Sequence, residues 1–117
     1  MNDSLSRKVK HSIEDMNDES SPIYQLRPVT FAYNGDVSET KQYGLIAEEV
    51  DEVFSGIVAR NKDGEIETVV YHVLPVLVLN EVQKLRVSME QGNAVIKQQN
   101  AVIENVNNRL VALEQQN

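Results

Sequence analysis

Tyr43-Gly44-Leu45-Ile46-Ala47-Glu48-Glu49-Val50-Asp51-Glu52-Val53-Phe54 reads as a short amphipathic helix entered through a glycine. Ile46, Val50, Val53 and Phe54 fall at i, i+4, i+7 and i+8, one apolar stripe that a folded head must bury. Glu48, Glu49, Asp51 and Glu52 lie off that stripe. They face solvent or pair with the basic N-terminal residues Arg7, Lys8 and Lys10. Glu48 and Glu52 have the spacing of paired carboxylates, but on an exposed helix they read as a solvated face.

Downstream, Gly56 ends the helix. Ile57 to Arg60 reads as a strand, Asn61-Lys62-Asp63-Gly64 as a turn, and Ile66 to Tyr71 as the returning strand of a β-hairpin. Upstream, Pro28 to Tyr33 alternates, with Val29, Phe31 and Tyr33 on one side, and Asn34-Gly35-Asp36 is a turn signal. Ser21 at an N-cap and Pro22 at the first helical position predict a short helix from Ile23 to Leu26. Residues 1–21 are polar and read as a loosely held arm, with a short ordered piece around Val9 to Met16.

From Leu74 a helix is expected to run toward the end of the chain, with Pro75 in its first turn. Val82, Leu85, Met89, Gly92, Ile96, Gln99, Ile103, Val106, Leu110 and Leu113 are spaced alternately three and four apart. That is the a/d seam of a heptad repeat. Asn93-Ala94-Val95-Ile96 recurs seven residues later as Asn100-Ala101-Val102-Ile103. The seam spans about 48 Å at helical rise, too long for so small a head to cover. It predicts self-association. Ile96 and Ile103 at a, with Val106 at d, depart from the dimer pattern and lean to higher order. Gln99 at d forms a polar layer that costs stability and fixes register. Gly92 marks a bend between head and distal coil.

The expected architecture is therefore α+β. A small mixed head (22–79) with a β-hairpin and short helices follows the arm (1–21). A long helix (80–117) then forms a trimeric coiled coil. The net charge of -7 over 117 residues argues against a nucleic-acid surface. The longest apolar run, Val73 to Leu79, is interrupted by Pro75 and falls far short of the roughly 20 residues that span a bilayer. No secretory signal is visible. The chain has no cysteine, which excludes disulfides, thiol nucleophiles and thiolate metal sites. His11 and His72 are isolated, so no metal site is expected. The five glycines are scattered through turns and helix ends and form no phosphate loop. No cofactor is expected.

For covalent chemistry the candidate nucleophile is Ser4, with Lys10 or Lys8 as its base. A serine hydroxyl needs a partner to take its proton. A lysine can do so when desolvation or nearby cations lower its pKa toward neutrality, and Arg7, Lys8 and Lys10 are close enough in sequence to depress one another.

Three blocks in order carry a resemblance: Leu26-x-Pro28-Val29-x-Phe31, then Tyr43-Gly44-Leu45-Ile46-Ala47-Glu48-Glu49-Val50, then Val69-Val70-Tyr71 with Leu74 and Leu77. Together they resemble the self-cleaving intramolecular chaperone at the C-terminus of phage tail spikes and endosialidases, most of all its small neck- or tail-appendage members. The resemblance covers roughly residues 4–90. It implies a homotrimer that directs folding of an upstream fibre domain of the same polypeptide and is then cut away. It further implies a single-turnover serine endopeptidase with a serine-lysine dyad. Family members begin with a motif close to Ser-Asp-x-Arg-x-Lys-x-x-Ile, cut just before the serine. Counted forward from Ser4, Arg7 fits the arginine slot. Counted back from Ile13, Lys10 fits the lysine slot and Lys8 the arginine slot, while Leu5 falls on the serine slot. One extra residue between Ser4 and Lys10 reconciles both ends. The resemblance then makes Asp3–Ser4 the scissile bond, Ser4 the nucleophile and Lys10 the base, with Ser6 the next nucleophile. It implies action in the host cytoplasm during virion assembly and absence from the mature virion after cutting. The rival function is a permanent, non-cleaving trimerisation module of a spike or adhesin.

Overall fold

The computed structural model describes residues 6–116. The order of elements is two 3-10 helices (Arg7–Val9 and Asn17–Gln25), β1 (Val29–Phe31), β2 (Gln42–Gly44), α1 (Ala47–Phe54), a 3-10 turn (Ser55–Ile57), β3 (Val58–Arg60), β4 (Ile66–Val69), a 3-10 turn (Tyr71–Val73) and α2 (Leu74–Glu114). The chain divides into two compact units between Asn80 and Glu81.

The first unit is a mixed head with two separate antiparallel ribbons, β1–β2 and β3–β4. The second ribbon is the expected hairpin. Val58 pairs with Val69 and Ala59 with Thr68, and an irregularity follows before Arg60 meets Ile66. Its turn is held by Asn61, whose Oδ1 accepts from the N–H groups of Asp63 and Glu65, both at 2.9 Å. Gly64 closes it at φ +83°, a left-handed backbone that suits glycine.

The first ribbon was only half expected. Val29 pairs with Gly44, Thr30 with Tyr43 and Phe31 with Gln42. Tyr43 and Gly44 thus end a strand, and α1 starts at Ala47 rather than at the glycine. The connection from β1 to β2 carries the Asn34-Gly35-Asp36 turn, with Gly35 at φ +85°. Asp36 organises the rest: its carboxylate accepts from Ser38 Oγ at 2.7 Å and from the N–H groups of Ser38 and Thr40, each at 3.1 Å. These bonds, the Ser38 hydroxyl first, hold Asp36 below the usual carboxylate pKa.

The core is small. Val50, Ile57, Val69 and Leu77 are buried, with Met16, Ile23, Leu26, Leu45, Phe54 and Leu74 packed around them. Val50 of the α1 stripe is 1 % exposed, and Ile46, Val53 and Phe54 are half-buried as the spacing required.

The N-terminal segment departs from expectation. Ordered 3-10 structure runs from Asn17 to Gln25, beginning inside the polar stretch read as an arm, and Pro22 lies within it. Ser21 does not cap a helix; its Oγ donates to the Asp18 carbonyl at 2.9 Å. Its neighbour Ser20 is fully buried and accepts from Asn80 Nδ2 at 2.7 Å. The same Nδ2 donates to the Asn17 carbonyl at 2.8 Å. A side-chain amide sixty residues downstream thus fixes the segment, which local sequence cannot reveal.

The second unit is the distal part of α2, a helix of 41 residues in all. It runs through Gly92 without interruption, so that glycine breaks no helix. No helix among the described residues is long and apolar enough to cross a membrane.

Candidate functional site: the helical seam and the N-terminal arm

On the distal helix the seam residues Val82, Leu85, Met89, Ile96, Ile103, Val106, Leu110 and Leu113 are between 47 and 67 % exposed. Gln99 is exposed within the same row. These eight large apolar side chains share one a/d row, interrupted at d by Gly92 and Gln99, and among the described residues they stand exposed. In the middle the row widens, because Val95 and Val102 at g are 50 and 61 % exposed. An a/d/g stripe is broader than the seam of a two-stranded coil. Two charged pairs on this unit lie along the helix: Lys84 Nζ donates to Glu81 at 3.1 Å and Arg86 Nε to Glu90 at 3.1 Å.

In the arm, Asp3 and Ser4 lie outside the described residues. Arg7–Val9 forms one 3-10 turn, with Ser6 at its N-cap and Lys10 just past its end. Ser6 Oγ accepts from the Lys8 N–H at 3.1 Å, and the Arg7 carbonyl accepts from the Lys10 N–H at 3.3 Å. Lys8 and Lys10 are exposed and stand on either side of Val9. Among the described residues no group of His, Cys, Asp and Glu is placed to hold a metal ion.

The acidic residues of α1 pair with arginines of the head rather than with the basic arm. Arg27 makes a two-point contact with Glu49, Nε to Oε1 at 3.0 Å and Nη2 to Oε2 at 2.6 Å. Arg60 bonds Asp51 and also donates to the Gly64 carbonyl at 2.9 Å, tying α1 to the hairpin turn. Glu48 and Glu52 are exposed, as read from the sequence. The hydrogen bond from Arg27 holds the Glu49 carboxyl below its ordinary pKa. A depressed folded-state pKa gives stability that is present above the unfolded value and lost as pH falls through the folded one. Both side chains are open to water, so the effect on stability is small. In an NMR titration, Arg27→Gln should move the Glu49 midpoint up toward that of a free glutamate.

One functional arrangement was missed by sequence reasoning. The Tyr71 hydroxyl accepts from the Leu45 N–H at 3.0 Å and donates to the Leu45 carbonyl at 3.3 Å. It reaches that backbone because residue 44 is glycine. A Cβ there would lie 2.9 Å from Tyr71 Oη and 3.3 Å from Phe31 Cε1. The glycine of Tyr-Gly-Leu-Ile-Ala therefore admits the tyrosine of Val-Val-Tyr and the phenylalanine of Pro-Val-x-Phe. The three sequence blocks meet at one point.

No curated protein matches the chain. Residues 6–59 match the family described as the chaperone of endosialidase, a span that begins two residues after Ser4 and covers β1, β2 and α1. By that match, residues 6–59 are similar to the intramolecular chaperone domain of the phage endosialidase type.

Proposed function

We propose that three copies of this chain associate in parallel through α2 and so direct the folding of an upstream tail-spike or appendage fibre. The observation that carries this reading is the bare a/d row from Val82 to Leu113. Its a/d/g width around Val95 and Val102 favours an order above two. Association raises the effective concentration of the three upstream strands and sets their register. It thereby addresses the slow, misassembly-prone step of an intertwined β-structure.

Release follows by cutting at Asp3–Ser4, with Ser4 as nucleophile and Lys10 as base. Lys10 is exposed in the single chain. The desolvation that a lysine base needs is then supplied by neighbouring copies, which ties cutting to completed assembly. The released fibre is left kinetically trapped in its folded state. This sequence of events takes place in the host cytoplasm during virion assembly, and the cut domain does not enter the mature virion.

Two measurements test the reading. Light scattering on the chain should give the mass of three copies; a monomeric mass defeats the chaperone mechanism. Expressed behind its parent fibre segment, the chain should be cut, as seen on a denaturing gel. Ser4→Ala should abolish cutting, and Lys10→Ala should slow it by about 10²-fold or more, the usual worth of a general base. A trimer whose single band stays intact through long incubation identifies a permanent trimerisation module instead.

A further inference from the structure

On the head, Ile23, Leu26, Tyr43, Tyr71, Leu74 and Val78 line an open groove of about 780 Å³. Its walls are apolar, and Tyr43 at its rim is 78 % exposed. The first turns of α2 indicate what fills the groove. Counted back from Val82 at a, Val78 falls at d, Leu74 at g and Leu79 at e. The heptad row therefore begins within the head, and two of the groove's lining residues are its d and g positions.

In a parallel coiled coil the g side chain of one helix flanks the e side chain of its neighbour. At this level the flanking residue is Leu79. Positions e and g commonly carry Glu or Lys, which stay wet. Leu79 is instead apolar and 55 % exposed in its own chain. We propose that the groove is a docking site for a second copy of this chain, whose Leu79 seats beside Leu74 and Val78 under the rim formed by Tyr43 and Tyr71. This rests on the parallel self-association proposed above and extends it: the interface includes the heads, and each head helps set the register of its neighbour.

The absence of native cysteine makes the test clean. Leu79→Cys, carried on a chain with a mass tag, is refolded together with untagged Thr30→Cys and treated with a short bismaleimide. Thr30 lines the groove but is exposed and lies outside the core. Val37→Cys, on a side chain 98 % exposed in the β1–β2 connection, serves as the control partner. The tagged-untagged product should form at least about tenfold faster with Thr30→Cys than with Val37→Cys, because docking sets a high effective concentration. A trimeric mass without that preference overturns the proposal while leaving self-association standing, and means the groove stays open for an upstream segment of the fibre. A monomeric mass overturns both.

Discussion

Ile103→Asp should convert the assembled chain into monomers. Ile103 occupies an a position between the Gln99 and Val106 layers and is 56 % exposed on the isolated helix. In a three-stranded seam it would be enclosed, so one substitution places three carboxylates in a single apolar layer. Each copy forgoes roughly 1.5–3 kcal/mol of side-chain burial. To this is added the cost of desolvating an unpaired charge, several kcal/mol per ion. In the proposed trimer the loss would be multiplied by three. The distal helix has no other source of tertiary support within its own unit, and isolated helices owe most of their stability in proteins to packing. Circular dichroism at 222 nm should therefore fall together with the scattering mass. Ile103→Val, which removes one methylene and keeps the branched shape, should leave the mass unchanged. An Ile103→Asp chain that kept the wild-type mass at micromolar concentration would show that the row is not the interface.

Gly44→Ala should destabilise the head by about 1–3 kcal/mol, the range for forcing volume into a packed site. The new methyl would lie 2.9 Å from Tyr71 Oη and 3.3 Å from Phe31 Cε1. A free tyrosine could swing aside at little cost. This one is held by its two bonds to the Leu45 backbone, so moving it breaks both. Among the described residues the core has four buried apolar side chains, and a head this small has little stability in reserve. The two positions should be coupled. Tyr71→Phe alone removes the hydroxyl and both bonds, costing about 1–3 kcal/mol. With the oxygen gone, the closest contact of the alanine methyl disappears, and Gly44→Ala should cost less in the Tyr71→Phe background. A double-mutant cycle from urea unfolding reads the difference, expected within the 0.5–3 kcal/mol typical of touching residues. Strict additivity would mean that the glycine serves only the local strand backbone.

The elements that could be read from sequence are those whose reason is local. The α1 stripe, the Asn61–Gly64 turn and the heptad row of α2 each follow from a periodicity or a turn residue within a few positions. What eluded local reading depends on distant partners. The pairing of β1 with β2 spans a long connection, so Gln42–Gly44 carries no strand signal of its own. Arg27 and Arg60 meet α1 only after the chain has folded back, and the basic arm, nearer in charge pattern, takes neither acidic residue. Asn80 holds Asn17 and Ser20 from across the sequence, which turns part of a polar arm into ordered structure.

The sequence alone determined that this chain buries one face of a short helix and carries a heptad row along a long one, because hydrophobic periodicity is a property of neighbouring residues. The tertiary structure decided why Gly44 is a glycine. Its backbone is approached by the Tyr71 hydroxyl and the Phe31 ring, and such a close approach exists only when three distant segments have come together.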